Sequence, residues 1–484
     1  MESIKNNFSQ FTLSKEILDT LTLLDYITPT AIQKEVIPLA LTGCDLVGKS
    51  KTGTGKTAAF AIPLCEKVVW DEYLPQALIL EPTRELAQQV KTEFFHIGRA
   101  KRLKVPALFG GMPIDKQIVT LKQKAHIIVG TPGRIMDHVR RGSLDLSHIQ
   151  YFVIDEADLM LNMGFLEEVK EIMDQLPQSR QTMLFSATIN DEILHLIGRY
   201  MQDPTYIMLE SATQTVSTIT QEIVITEHDD KYKTLMNLLI AENPDDCMIF
   251  CATREMVNTL YQKLRRDKIR CGMLHGEMEQ RDRLRAIEDF RDGRFHTLIC
   301  TDVAARGIDF DQITHIFNYD FPTGKETYVH RIGRTGRNGQ SGVAISLVTP
   351  EEKRILSVVE EFTGIAIARK DCPTEVSLKE SAFWKRQNET LVLKKRKGAI
   401  FQKSITKLSI GGGRKSKMRA VDIVGTICSI DGITSDDIGI IDIRDSLTYV
   451  EILNQKGELV LDALQAKPIK GKLRKVTLSR ARHL

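Results

Sequence analysis

The sequence predicts an α/β protein: two tandem, doubly wound parallel-sheet units followed by a small α+β module. Three observations carry this. Continuous apolar, β-rich runs alternate with stretches of helical period; the alternation restarts midway along the chain; and a different order of elements closes the chain after a basic stretch. The 484 residues, 42% of them hydrophobic, allow roughly three domains with substantial cores. Disordered and mini-protein classes are thereby excluded.

In the first unit, residues 1–212, Ala77–Leu80, His126–Val129, Tyr151–Ile154 and Gln181–Phe185 read as buried strands, with helix-period stretches at Glu85–Arg99 and Phe165–Leu176. A polar stretch, Glu210–Thr215, precedes the second unit, residues 217–372. Its strands are expected at Gln221–Thr226, Cys247–Cys251, Thr297–Cys300, His315–Asn318 and Val343–Val348. Its helices are expected at Lys231–Ala241, Arg254–Arg266 and Glu279–Arg291. A cleft between two such units is a natural ligand site. Residues 373–413 read as a basic linker with helical character near Ser377–Leu393. In the last module, 414–484, Ala420–Ile427 reads as a strand and Asp436–Ile441 as a short helix. A hairpin of Ile441–Arg444 with Tyr449–Leu453, a helix at Glu458–Gln465 and a strand at Leu473–Leu478 complete it. That β-α-β-β-α-β order is the split arrangement used by RRM modules.

The charge is divided. From Lys385 to Leu484 there are 21 Lys+Arg against 10 Asp+Glu, a net of +11, whereas the rest of the chain carries −8. An acidic body with a basic tail points to a polyanion held by the tail. No apolar run approaches the ~20 residues a membrane helix needs. Met1–Asn7 is polar and lacks the apolar stretch of a signal peptide. Eight scattered cysteines without a C-x-x-C pair fit reduced thiols. The expectation is a cytoplasmic protein with no membrane partner.

Ser50-Lys51-Thr52-Gly53-Thr54-Gly55-Lys56-Thr57 follows a strand and opens a helix, as phosphate-binding loops do. Its glycines let backbone N–H groups turn toward a phosphate, Lys56 reaches the outer phosphates, and the Thr57 hydroxyl binds Mg²⁺. Ser50 stands where the strict pattern has Gly. Val153-Ile154-Asp155-Glu156-Ala157-Asp158 ends an apolar strand in carboxylates: Asp155 helps hold Mg²⁺, and Glu156 orients and deprotonates the attacking water. Arg334 and Arg337 in His330–Arg337 share a face if that segment is helical, and would serve as arginine fingers from the second unit.

Together these motifs resemble the DEAD-box RNA helicases of superfamily two, over residues from about 8 to 370. In the family's order stand Pro29–Gln33, the phosphate loop, Pro82–Ala87, Gly110-Gly111, Thr131–Arg134, Asp155–Asp158, Ser186-Ala187-Thr188, Ile249–Cys251, Thr301–Asp309 and His330–Arg337. The resemblance implies two RecA-like domains and RNA-stimulated ATP hydrolysis that locally unwinds short duplexes. It implies that Gln33 reads adenine and Tyr26 packs on the base, with Asp25 where the family usually has Gly. Gly307 and Asp309 would contact the ribose. Ser186, Ala187 and Thr188, with Asp158, would couple nucleotide to strand separation, and His330 would bridge motifs. RNA contacts would come from Arg84, Gly110, Gly111, Thr131, Arg134, Thr253, Arg254, His275, Gly276 and Thr301. They track backbone and 2′-OH, so RNA and not DNA is the expected partner.

The tail is similar to that of bacterial DbpA-type helicases, on Ala420–Ile427 and Lys470–Lys475. That likeness implies recognition of a 23S ribosomal RNA hairpin and action on large-subunit precursors. The alternative is a general helicase or chaperone for other structured RNA. The aromatic stacking signature of ordinary RRMs is absent, so recognition is expected through basic loops that include Lys415, Lys417, Arg419, Lys470 and Lys472.

Overall fold

The computed structural model describes residues 7–50, 53–209, 219–305, 308, 310, 313–336, 340–373, 382–391, 393–394 and 405–479. The chain divides into two compact units. Pro29–Phe94 and Val105–Lys395 form the larger; Met1–Thr28, Phe95–Lys104 and Arg396–Leu484 form the smaller.

The larger unit contains two parallel sheets of seven strands. The first is built from β1 (Leu46–Lys49), β2 (Ala77–Leu80), β3 (Ala107–Leu108), β4 (Ile127–Gly130), β5 (Tyr151–Ile154), β6 (Gln181–Ser186) and β7 (Thr205–Met208), in the order β3-β4-β2-β5-β6-β1-β7. β2 and β4 are buried along their whole length, as strands covered on both faces must be. Register is what positions the site. Lys49 pairs with Ser186, and Leu80 with both Gly130 and Ile154. The loops after β1, β2, β5 and β6 therefore leave the same edge of the sheet together.

The second sheet comprises β8 (Ile219–Ile225), β9 (Cys247–Cys251), β10 (Cys271–Leu274), β11 (Thr297–Thr301), β12 (His315–Asn318), β13 (Gly342–Val348) and β14 (Ala368–Arg369), in the order β10-β11-β9-β12-β13-β8-β14. Apolar clusters fill the space between the sheets and their helices. Phe152 and Ile172 belong to one, Phe250 and Tyr328 to another, and Leu260 and Phe317 to a third.

The smaller unit carries an antiparallel sheet of β15 (Thr406–Gly411), β16 (Ile438–Ile443), β17 (Leu447–Ile452) and β18 (Val476–Leu478), in the order β16-β17-β15-β18. Helices Ala420–Cys428 and Gly457–Ala466 complete a β-α-β-β-α-β order. Several sequence expectations need correcting here. Ala420–Ile427 is a helix and not a strand. Its β-branched residues suggested a strand, but Ile423 and Ile427 are four apart and both buried, and Asp422 accepts the Arg419 N–H (2.9 Å) to cap the first turn. Asp436–Ile441 is not a helix: one 3₁₀ turn, Ser435–Asp437, leads straight into β16. The first strand, β15, lies inside the stretch read as linker. Leu408 and Ile410 on β15 join the core under both helices, a burial that no local pattern announces amid surrounding lysines.

Candidate nucleotide and RNA site

The phosphate loop runs from β1 into the helix Lys56–Lys67. Gly53 (φ +83°) and Gly55 (φ +89°) adopt the left-handed conformation that turns backbone N–H groups inward. Ser50, at the place of the usual glycine, spends its hydroxyl inside the loop, 3.2 Å from Thr54 Oγ1. Lys51 and Thr52 lie outside the described residues. Lys56 is 4% exposed; its Nζ donates to Glu156 Oε1 (2.6 Å) and sits 3.7 Å from Asp155 Oδ1. Burial alone would push the Lys56 pKa down, but the Glu156 and Asp155 carboxylates outweigh it and hold it above the ordinary lysine range. Asp155 is pushed up to about 6 by burial, against the pull of Lys56. Glu156 itself has φ +50°, a sparsely populated conformation for such a side chain, of the kind held by surrounding structure at functional sites.

Glu81, which no sequence argument singled out, adjoins this cluster. It is fully buried, and burial together with Asp155 and Glu156 pushes its carboxyl well above the usual carboxylate range. The donor set of Asp155 and the half-buried Thr57 is all oxygen, and both carboxylate oxygens of the nearby Glu81 lack a hydrogen-bond partner among the described residues. That set fits a hard divalent cation such as Mg²⁺.

Gln33 closes the loop from the side. Its Nε2 donates to Gly55 O (3.1 Å) and its Oε1 accepts the Thr30 N–H (2.9 Å). One N–H and one lone pair of the amide take no part in these two bonds. In the smaller unit, helix Lys15–Leu23 ends in a Schellman turn: Tyr26 N–H donates to Leu21 O and Asp25 N–H to Thr22 O. Asp25 takes φ +59° there, which accounts for the family's glycine. Tyr26 meets Phe8 edge to face, with centroids 6.1 Å apart.

Asp158 is tied to the loop after β6. Its Oδ2 accepts both the N–H and the hydroxyl of Thr188 (2.9 Å each), and Ser186 Oγ accepts the Asp158 N–H (3.2 Å). Ala187 lies between these two partners.

In the second lobe the helix Lys325–Ile332 stops before Arg334, so the argument from helical spacing for Arg334 and Arg337 does not hold. Arg334 is buried and its Nη1 donates to Ile308 O (2.9 Å). Arg337, Gly307 and Asp309 lie outside the described residues. His330 and Arg334 line one small cavity with Asp302 and Arg331. Arg331, which sequence reasoning passed over, anchors the segment: its guanidinium grips Asp302 with two hydrogen bonds and reaches Asn318 Oδ1 (3.1 Å).

The RNA candidates collect at strand C-terminal ends. Arg84 packs against Gly110 and Gly111, and a Cβ on Gly111 would collide with its guanidinium. Thr131 begins the helix Pro132–Arg140, and Arg134 donates to Met112 O (3.0 Å). In the second lobe Thr301 ends β11, and Thr253 Oγ1 caps its helix at Met256 N (3.1 Å). Arg254 pairs with Glu255 and Glu277, and Gly276 opens on free space. Burial, with Arg283 and Arg254 nearby, holds His275 below the ordinary range, and its Nδ1 has no partner among the described residues.

Two residues that the sequence reading missed join the two sets. Gln280 accepts from Arg84 (3.2 Å) and donates to Glu85 (3.1 Å), while Arg283 pairs with Glu85 at 2.9 Å. The signal was present: a Gln-x-x-Arg pair on the first turn of Gln280–Arg291, facing the acid of the Pro82–Ala87 motif.

Comparison with known proteins agrees with this geometry. Residues 30–196 match the DEAD/DEAH box helicase family, 230–339 the helicase conserved C-terminal domain and 407–478 the DbpA RNA binding domain. The ATP-dependent RNA helicase DbpA of Bacillus subtilis is 49% identical over 97% of this chain and 99% of its own. The chain belongs to the DEAD-box ATP-dependent RNA helicases of the DbpA type. The helicase CshA of Geobacillus kaustophilus is 42% identical over 76% of this chain and 79% of its own. Among solved structures, S. cerevisiae Dbp5 bound to RNA and ADP BeF3 is 34% identical, with a TM-score of 0.68 over 75% of this chain and 95% of that one.

As a member of this family, the chain is an RNA-stimulated ATPase with two RecA-like lobes and a C-terminal RNA-binding domain. In that domain two basic loops meet. Lys415 lies in the turn Arg414–Ser416, followed by Lys417 and Arg419. Lys470 reaches across from the other loop to donate to Lys417 O, two residues before Lys472. Tyr449, on β17, is overlain by Arg444 (4.8 Å) and Lys407 (5.6 Å), so its ring is not an open stacking platform. Among the described residues no helix is long and apolar enough to cross a membrane.

Proposed function

We propose that this helicase remodels 23S ribosomal RNA in large-subunit precursors in the cytoplasm, its C-terminal module holding a hairpin while the lobes separate a nearby short duplex. The observation that carries the reading is the convergence of the 412–419 and 467–475 loops into one basic surface on a module of the DbpA type. Basic loops grip phosphates and give register, and a built surface beside them supplies shape.

Lys56 turns from Glu156 toward the outer phosphates when nucleotide enters. Glu156, freed of that ion pair, takes the proton of the attacking water. Thr57 and Asp155 would hold magnesium, which when bound neutralises phosphate charge. Arg334 and Arg337 supply the positive charge that compensates the leaving phosphate, an effect worth about 10³–10⁵ in rate in other NTPases. Gln33 and Tyr26 select adenine; Gly307 and Asp309 hold the ribose; Asp158, Ser186, Ala187, Thr188 and His330 relay the nucleotide state. Arg84, Gly110, Gly111, Thr131 and Arg134 on one lobe, with Thr253, Arg254, His275, Gly276 and Thr301 on the other, follow the RNA backbone. Closure favours a bent single strand over a duplex, and hydrolysis removes that bias.

The test compares stimulation of ATP hydrolysis by 23S rRNA fragments, unrelated RNA and DNA of the same sequence, with and without residues 405–484. The reading expects a preference for 23S fragments that disappears with the module. Equal stimulation by all RNAs in the full chain would leave a general RNA helicase instead.

A further inference from the structure

Glu81, a buried acid of the larger unit, has no part in the reaction above. It directly follows β2; its N–H donates to Gly130 O (2.9 Å) and its side chain is fully buried. Neither carboxylate oxygen has a hydrogen-bond partner among the described residues. Buried polar groups are nearly always paired, and leaving one unpaired costs stability, so such a group calls for a reason. The charges that act on Glu81 are those of Asp155, Glu156 and Lys56. Leu80 pairs with Ile154, so Glu81 and Asp155 leave the sheet edge as neighbours. Asp155 and Glu156 face the Lys56 ammonium at 3.7 and 2.6 Å, and Glu81 leaves the sheet edge beside Asp155. When Lys56 turns to the phosphates, Asp155 and Glu156 lose the cation beside them.

We propose that Glu81 is a positioning residue of the phosphate site, its carboxylate accepting hydrogen bonds from water bound to a divalent cation beside Asp155 and Thr57. The inference rests on the ATPase reading and adds a residue to it. Magnesium keeps several waters when it binds, and those waters need oriented acceptors. Until then Glu81, with no hydrogen-bond partner among the described residues, costs stability.

The test uses the full chain, a fluorescent ADP and a magnesium titration. Glu81→Gln keeps the volume and removes the charge; Glu81→Ala removes the group. The magnesium concentration that half-maximally tightens ADP binding should rise about tenfold or more in both variants. ADP affinity in EDTA should be unchanged, and the nucleotide-free melting temperature of Glu81→Gln should be no lower than that of the parent. If Glu81→Ala does not fold, Glu81→Gln decides alone. A magnesium midpoint in Glu81→Gln equal to the parent's overturns the inference, as does a shift accompanied by a lower melting temperature. If the parent itself binds ADP without regard to magnesium, the metal part of the ATPase reading fails, and the inference with it.

Discussion

Lys56 and Glu156 form an ion pair with a 2.6 Å contact. The contact is buried, so solvent and salt screen it little. Glu156→Gln keeps the shape and removes the base. RNA-stimulated hydrolysis should fall by about 10²–10⁴-fold in single-turnover assays while nucleotide still binds; near-normal hydrolysis would remove Glu156 from the role of base. A second residue-scale expectation concerns Asp25. It carries φ +59° at a position that a Schellman turn gives most readily to glycine. Asp25→Gly should raise stability by up to about 1 kcal/mol, read from thermal or urea unfolding, because the left-handed conformation then carries no Cβ penalty.

Elements depend on single polar anchors in two places. Burial works against the Asp437 carboxylate, but hydrogen bonds from Asn454 (2.9 Å), Lys456 (2.8 Å) and the Thr434 N–H (2.8 Å) outweigh it and hold its pKa below the ordinary range. A depressed carboxylate contributes stability above its unfolded pKa, near 4, and loses it as the pH falls through the folded value. Asp437→Asn should therefore destabilise the β16–β17 hairpin by about 1–2 kcal/mol at pH 7. The difference should shrink as the pH falls below about 4, as read from hydrogen exchange of residues 430–456 in the full chain. The other anchor is Glu85, buried, with the half-buried Arg283. A double-mutant cycle of Glu85→Gln and Arg283→Met on RNA affinity in the presence of an ATP analogue should give a coupling of about 1–3 kcal/mol. Additive effects would mean the pair does not hold the RNA-bound arrangement.

At the scale of the molecule, charge decides how RNA is first held. Residues 1–384 carry −8 and the remainder +11, so the core by itself repels a polyanion that the tail attracts. The logarithm of RNA affinity should fall more steeply with the logarithm of salt for the full chain than for residues 1–384. For single-stranded RNA, the slope should differ by about 0.7 for each phosphate that the tail neutralises. Equal slopes would show that the tail does not grip phosphate.

Much of this protein is legible from local chemistry. Alternating apolar strands and helical periods suffice for two parallel sheets, because a strand covered on both faces must be apolar throughout. The strand–loop–helix around Lys56 and the acids after Ile154 are equally local signals. What only the tertiary structure decided depends on interactions between distant segments. Ala420–Cys428 became a helix because its apolar residues at four-residue spacing met a sheet whose first strand hides among lysines. Gln280 and Arg283 gained meaning only when folding set them against Glu85, almost two hundred residues earlier. Glu81 reads in sequence as one acid before a proline; the sheet register alone carries it to Asp155, where a buried carboxyl without a hydrogen-bond partner among the described residues becomes a statement about the site.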